Sequence, residues 1–368
     1  MIHGDLLPCT PEGNVFAMKA VGFVLSTMLL TICSGTQGQT ASTPILRPIG
    51  PALDVRPPFA FDKAKSRRSV SGITCSPHGT VQQCLIVFDE GTKAQFAVLG
   101  TTRLEPIGAL IEMAGVDAEL DAEGAALADG FYYVTGSHSV KRTSCKPNQA
   151  SRAVVRFRAT AASGLPPRID VSELMGTSRL WDLMLEDSYL RLHVDGCLGS
   201  GTGGSVEQMQ RRPGINIEGI AVTGGRLYAG FRGPSEGGVA PVFSVDAKAL
   251  FEGGDAKPRL HRLSLGERVG IRDMAVARDS ILLLLGPDDH ESMEGAAWQI
   301  AEWRPDTDAS PRPLAVLDAR KEDMGQACFE ALKPEALAIL EELEGRFRIV
   351  VLSDGVCDGG PLIFDVPK

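Results

Sequence analysis

The chain has 368 residues, of which 43% are hydrophobic and 23% are charged, and its formal net charge at pH 7 is −9. These values are ordinary for a folded globular protein, and the length suffices for one large domain or two smaller ones. The chain has no long Lys/Arg run, so it lacks the basic face that nucleic acid or an anionic membrane surface attracts, and we expect neither as a partner.

The first predicted element is a secretory signal within residues 1–38. Starting at Met18, one lysine precedes an apolar stretch from Ala20 to Cys33, and small residues follow. This is the order of regions in a signal peptide, and the stretch is too short to span a bilayer comfortably. We therefore expect translation to start at Met18 and the mature protein to have no transmembrane span.

The small residues after the apolar stretch predict cleavage after Gly35 or Gly38. A lipoprotein acylated on Cys33 is a weaker alternative, because Ile32 is unfavourable directly before such a cysteine. The predicted location is therefore periplasmic or extracellular.

Residues 39–68 are rich in Pro, Ser and Thr and show no sustained periodicity. This composition predicts a flexible leader, with room for one edge strand that packs against the body. The remaining residues, 69–368, are predicted to form a single domain.

One pattern returns along that domain: an acid, then Gly or small apolar residues, a turn, and an apolar run. Glu123, Glu218, Asp273 and Glu335 each begin a copy, and an earlier copy has Gly72 in place of the acid. The interval between Glu123 and Glu218 is about twice the others, and residues 180–196 fill it with Asp182 at the acid position.

A period of about 50 residues, built of short apolar runs between Gly/Asp turns, is typical of a β-propeller. The predicted fold is therefore an all-β propeller with six blades, with five or seven as the alternatives. Residues 333–345 could be misread as a helix, but in this frame they form a strand and its turn.

Six cysteines remain when Cys9 and Cys33 are set aside, and an even count after a signal peptide suggests disulfides. The propeller frame places three pairs close together: Cys75 with Cys84, Cys145 with Cys197, and Cys328 with Cys357. A zinc cluster is not expected, because no CxxC spacing occurs.

In a propeller the first strand of each blade lines the central channel. The repeated acids are therefore predicted to form a partial ring at one mouth, and converging carboxylates suit Ca²⁺. The alternative is structural, with each acid accepting backbone N–H groups of the next blade. The candidate ring, and candidate metal ligands, are Glu123, Asp182, Glu218, Asp273 and Glu335.

Polar residues follow the second strand of each repeat, and the fold would bring them to the same mouth. They are candidates for ligand binding, although turns often carry such residues only because they face solvent. The candidates are Asp89, Glu90, Ser137, His138, Lys141, Arg142, Arg232 and Asp354.

No HExxH motif or Walker loop occurs in the sequence, and the glycine-rich stretch "GCLGSGTGGS" (196–205) lacks the lysine and the strand–helix setting of a phosphate-binding loop. The ordered motifs "DAEGAA", "GSHSVKR", "NIEGIA", "GFRGP", "IRDMA" and "KPEALA" resemble a bacterial family known as domain of unknown function 3616, over roughly residues 69–365. The resemblance implies an exported propeller without an established activity. The repeats are more distantly similar to exported esterase-like phytase domains, which would imply phosphomonoester hydrolysis.

Two functional hypotheses follow. The first is a monomeric ligand-binding or scaffold module that holds a small-molecule or peptide ligand at the acidic mouth. The second is a metal-assisted phosphoester or ester hydrolase, with a cation on Glu123, Glu218 and Glu335, and with Arg232 and His138 stabilising the developing charge.

Overall fold

The computed structural model describes residues 42–78, 81–113, 119–160, 168–169, 174–199, 213–289, 297–307, 309–325 and 328–368. The predicted signal peptide, including Met18 and Cys33, lies outside them. The compact unit considered below is Thr43–Lys368. None of its described helices is long and apolar enough to cross a membrane.

The unit is built of short strands grouped into five sheets. Two short strands come first, β1 (Ile45–Leu46) and β2 (Asp54–Val55). Blade 1 contains β3 (Val70–His78), β4 (Val81–Phe88), β5 (Lys93–Leu99) and β6 (Arg103–Glu112). Blade 2 contains β7 (Ala122–Ala128), β8 (Phe131–Gly136), β9 (Val154–Thr160), β10 (Arg168–Ile169) and β11 (Met175–Thr177).

Blade 3 contains β12 (Asn216–Thr223), β13 (Arg226–Gly233), β14 (Val239–Asp246) and β15 (Arg259–Ser264). Blade 4 contains β16 (Val269–Val276), β17 (Ile281–Pro287), β18 (Trp298–Trp303) and β19 (Arg312–Leu317). Blade 5 contains β20 (Phe329–Leu343), β21 (Arg346–Val356) and β22 (Leu362–Pro367). The innermost strands β3, β7, β12, β16 and β20 contact one another in a closed ring, so the fold is a propeller.

The described residues form five blades, so the prediction of six is wrong. Residues 180–196, taken as the missing blade, instead contain helix Arg179–Glu186 and a 3₁₀ turn at Leu190–Leu192. Leu180, Trp181, Leu183 and Met184 are all buried in the core between blades 2 and 3. Their spacing gives one apolar helical face, which a strand of alternating faces could not bury.

The innermost strand of every blade has a β-bulge at the same position, so that one residue has no partner on the second strand. A bulge redirects the extra side chain and is common beside functional sites. The bulged residues are Ser71, Glu123, Glu218, Arg272 and Glu335.

The residue after each bulge is small or short because the neighbouring blade lies against it. A Cβ on Gly72 would come within 2.9 Å of the Cα of Gly124, and one on Gly124 would come within 3.0 Å of the backbone N of Ile220. The acid–Gly pair of the repeat is thus explained: the acid occupies the bulge and the glycine allows blade-to-blade contact.

The N-terminal segment closes the propeller from outside. Strand β1 pairs in parallel with β19 of blade 4, and β2 pairs in parallel with β6 of blade 1. Between them, the backbone N–H of Ile49 donates to Ile363 O at 2.7 Å and that of Leu53 donates to Pro361 O at 2.8 Å. Part of the proposed leader therefore lies along the edge of blade 5.

The described residues contain three disulfides, and all three predicted pairings are confirmed. Their Cα–Cα distances are 4.0 Å for Cys75–Cys84, 5.1 Å for Cys145–Cys197 and 5.1 Å for Cys328–Cys357. Residues 333–343 lie in β20, which confirms the strand interpretation of that stretch.

Candidate functional site

A cavity of about 630 Å³ lies at the mouth of the channel where the innermost strands begin. We call it the mouth cavity. Its size falls in the range of small-molecule sites. Nine of its lining residues are acidic and four are basic. The acidic ones are Asp89, Glu90, Glu119, Asp121, Glu123, Glu218, Asp289, Glu335 and Asp354, and the basic ones are Lys141, Arg142, Arg232 and Lys333.

Farther along the channel the lining is apolar. A second cavity, of about 100 Å³, is lined mainly by residues that follow the bulges along the innermost strands, for example Ile73, Ile220 and Leu337. Because alkyl side chains offer no partners for a polar ligand, a ligand with polar contacts would be held at the mouth rather than deeper in the channel.

Near the start of three of the innermost strands, two residues each line the mouth cavity. Residues two positions before the bulges also line it, namely Asp121, Asn216 and Lys333 beside Glu123, Glu218 and Glu335. None of these three residues was predicted from the sequence. Alternate residues of a strand share a face, and this period of two was the signal that could have found them.

Arg272, the bulged residue of blade 4, lies between two ring glutamates. Its Nε is 2.9 Å from Oε2 of Glu218, and its Nη2 donates to Oε1 of Glu335. The guanidinium is fully buried and also lies 5.6 Å from the ring centre of Trp298. The carboxylates of blades 3 and 5 are therefore neutralised by a cation that belongs to the protein.

Asp289, which follows the second strand of blade 4, was also missed and extends the ion pairs. Its Oδ1 is 3.0 Å from Nη2 of Arg142, 3.3 Å from Nε of Arg232 and 3.2 Å from Nδ2 of Asn216. Nη1 of Arg232 donates to Oε1 of Glu218 at 3.0 Å. Burial tends to raise the pKa of Asp289, but Arg232 and Arg142 outweigh it and hold that pKa below its usual range.

On the side formed by blades 1 and 2, three carboxylates have no basic partner in the part of the chain that the structure describes. Asp121 accepts hydrogen bonds from the hydroxyls of Ser137 and Ser139. Among the described residues, Glu123 has no hydrogen-bond partner, and Oδ1 of Asp89 is buried without one. We call Asp89, Asp121 and Glu123 the acidic wall.

The pKa values follow this division. Burial, with the neighbouring Asp121 and Glu218 carboxylates, raises the pKa of Glu123 well above its usual range. Burial and Asp354 do the same for Asp89. Burial raises the pKa of Glu335 to about 7, although Arg272 acts in the opposite direction. The buried acids of the cavity thus differ in protonation near neutral pH.

Nine of the predicted site residues line the mouth cavity. They are Asp89, Glu90, Glu123, Lys141, Arg142, Glu218, Arg232, Glu335 and Asp354. Lys333 and Asp354 form a pair across β20 and β21, with 2.6 Å between Nζ and Oδ2.

Asp182 and Asp273 do not line the cavity. Asp182 is exposed on the helix Arg179–Glu186, because the segment is not a blade. Asp273 follows the bulge, so its side chain turns into the interface, where it accepts the backbone N–H groups of Met274 at 2.7 Å and Leu337 at 2.6 Å. For Asp273 the structure shows the contact of the structural alternative, an acid that joins two blades.

Ser137 and His138 also lie outside the cavity lining. The hydroxyl of Ser137 donates a hydrogen bond to Oδ2 of Asp121. His138 is buried, and its ring stacks on Trp181 with 6.4 Å between the ring centres. Burial, and to a lesser extent Arg152, lowers the pKa of His138 to about 3, so the imidazole is neutral at physiological pH.

The described residues contain no group of three or more His, Cys, Asp or Glu side chains arranged to hold a metal ion. The Ca²⁺ site stays a prediction.

The fold can be compared with solved structures at low similarity. Xyloglucan PUL GH43B of Bacteroides ovatus is 10% identical with a TM-score of 0.45, covering 88% of this chain and 54% of that one, so the chain spans about half its length. The GH43 endo-arabinanase of Bacillus licheniformis is 11% identical with a TM-score of 0.39, covering 83% and 96%.

At the level of sequence, no curated protein matches the chain. The family model described as "Protein of unknown function (DUF3616)" matches residues 75–163 and 174–358, which is more than half of the chain. The matched residues include every innermost strand except the start of β3. They also include the acidic wall and the ion-paired residues of the site, namely Arg142, Glu218, Arg232, Arg272, Asp289 and Glu335. The chain belongs to this family.

Proposed function

We propose that the protein is a ligand-binding propeller that holds a small polar molecule in the mouth cavity. The observation that carries this proposal is the acidic wall, whose carboxylates face a 630 Å³ cavity without a basic partner in the described part of the chain. Buried polar atoms are normally hydrogen-bonded, and exceptions in a concave site often mark the place of a ligand.

The rigidity of the opposite side supports the same function. Arg142, Arg232 and Arg272 are fixed by Asp289, Glu218 and Glu335, so the donors and acceptors there are held in position before a ligand arrives. Preorganised partners lower the ordering cost of binding.

The ester-hydrolase alternative receives less support from this geometry. It required a cation on Glu123, Glu218 and Glu335, and two of these are bound by Arg272. It also required His138 near the reacting atoms, and His138 is buried against Trp181 outside the cavity lining.

We also propose that the protein works outside the cytoplasm. Its three disulfides support this, because such bonds persist in oxidising compartments and are rare in the cytosol.

The test is a thermal-shift screen of polar metabolites on the wild type and two tryptophan variants. Thr143 is exposed and lines the cavity, so Thr143→Trp would fill its rim. Thr102 is exposed in the turn after β5, away from the cavity, and Thr102→Trp is the matched control. We expect ligands that stabilise the wild type and Thr102→Trp but not Thr143→Trp. Ligands that stabilise all three equally, or an absence of any ligand, would contradict the proposal.

A further inference from the structure

Most basic side chains of the mouth cavity form ion pairs with acids of the protein, whereas the described residues give the carboxylates of the acidic wall no basic partner. Each of three basic side chains has an acidic partner within the protein: Arg142 and Arg232 with Asp289, and Lys333 with Asp354. Within the described residues, the acidic wall has hydroxyl partners for Asp121 only. A ligand therefore meets open acceptors at the acidic wall and, apart from the exposed Lys141, donors that are already paired.

This arrangement disfavours an anionic ligand. An anion would have to displace Asp289 or Glu218 from Arg232, which is almost fully buried, and breaking a buried ion pair is costly. A cation needs no such exchange, because it meets Asp89 and Glu123 directly and stabilises their ionised forms against the burial that raises their pKa values. The buried, unpaired Oδ1 of Asp89 is an independent indication of a missing donor at this point.

The size of the cavity indicates an organic cation rather than a single ion. A volume of about 630 Å³ greatly exceeds that of one ion, and it is also lined by neutral polar groups such as Ser139, Asn148 and Asn216. These groups suit hydroxyls or amides on the same ligand.

We propose that the ligand of the mouth cavity is a small organic cation, whose ammonium or guanidinium group binds Asp89 and Glu123. This inference rests on the proposed ligand-binding function and specifies the charge of the ligand.

The experiment compares three four-carbon probes that differ in charge: putrescine (a dication), butanediol (neutral) and succinate (a dianion). Binding is measured by calorimetry at about 0.15 M salt, which screens long-range attraction to the acidic protein. The proteins are the wild type, Glu123→Gln, Asp89→Asn, the rim variant Thr143→Trp, and Glu105→Gln as a control on β6 of blade 1.

We expect putrescine to bind the wild type and Glu105→Gln, with butanediol and succinate at least about tenfold weaker. Glu123→Gln and Asp89→Asn should each weaken putrescine by at least about tenfold, and Thr143→Trp should also weaken it. If Glu123→Gln fails to fold, Asp89→Asn still carries the comparison.

Three outcomes separate the two proposals. If succinate or butanediol binds as well as putrescine and Thr143→Trp prevents it, the binding function stands and the cationic ligand is wrong. If putrescine binds Thr143→Trp and Glu123→Gln as tightly as it binds the wild type, it does not occupy the cavity, and the organic-cation inference fails while the metabolite screen still decides the binding function. Absence of putrescine binding to the wild type overturns the organic-cation inference, whereas the metabolite screen still decides the binding function.

Discussion

Arg272 lies with its Nε 2.9 Å from Oε2 of Glu218, so the bulge of blade 4 supplies the positive charge for the bulge of blade 3. The same guanidinium donates to Glu335 of blade 5. The ring at the propeller mouth is therefore a mixed set of Ser, Glu, Glu, Arg and Glu rather than a ring of acids. This relationship determines which carboxylates are left for a ligand.

Replacing the buried guanidinium should destabilise the protein strongly. Arg272→Met would leave Glu218 and Glu335 near each other without their cation, and loss of one partner from a buried ion pair costs about 3–5 kcal/mol. Urea unfolding would measure the change in the free energy of unfolding. The control is Arg312→Met, which removes a half-exposed partner of Glu302 and should cost about 0–1 kcal/mol. Equal losses in the two variants would show that Arg272 is dispensable.

Stability should fall as the pH rises through the pKa of Glu335. That pKa is about 7 in the folded protein and 4.5 for a free glutamate, so the folded state holds the extra proton between these values. The contribution is complete below the unfolded pKa and is lost as the pH rises past about 7, an effect of about 3 kcal/mol. Urea unfolding at about pH 5 and about pH 8 should show a smaller difference for Glu335→Gln than for the wild type. An unchanged difference would contradict the raised pKa.

Asp273 is expected to matter for stability and not for binding. Asp273→Ala would leave the buried backbone N–H groups of Met274 and Leu337 without their acceptor, which costs about 1–3 kcal/mol. Asp273→Asn keeps a carbonyl oxygen and should lose less. Asp182→Ala, on the exposed helix, should change the unfolding free energy by less than about 0.5 kcal/mol. Loss of ligand affinity in a folded Asp273→Asn variant would argue against this assignment.

The glycine after the first bulge should resist substitution. A Cβ at Gly72 would lie 2.8 Å from Cγ2 of Val87 and 2.9 Å from the Cα of Gly124, and backbone at that distance cannot rotate away. Gly72→Ala should therefore cost about 1–3 kcal/mol, as overpacking does. Gly100→Ala is the control, since its nearest neighbour would be 3.7 Å away. Thermal unfolding of the two variants gives the comparison, and similar melting temperatures would contradict tight packing between blades.

The predicted Ca²⁺ can be tested against the organic cation. Glu123 belongs to both proposed sites, so we expect calcium chloride to weaken putrescine binding competitively, with an apparent affinity that falls in proportion to the calcium concentration. Calorimetric titration of putrescine at several calcium concentrations measures this. Independent binding of the two cations would place Ca²⁺ outside the acidic wall.

Much of the site could be recognised before the fold was known. Glu123, Glu218 and Glu335 recur at one point of a repeated hairpin, and they do line one cavity. The error at Asp273 is a shift by one residue: the repeat was aligned on acids, whereas the bulge is occupied by Arg272. A bulge changes which residue faces inward, and no local pattern of acids and glycines indicates where the extra residue lies.

The sequence by itself determined the all-β propeller, the three disulfide pairs and the acidic character of one mouth, because strand periodicity, turn residues and cysteine positions are local properties. Only the tertiary structure decided the number of blades and the pairing of charges. The helix Arg179–Glu186 is stabilised by burial between blades 2 and 3, and Arg272 finds Glu335 across 63 positions of the chain. Both depend on contacts between distant segments, which is why the unpaired acidic wall became apparent only in the folded protein.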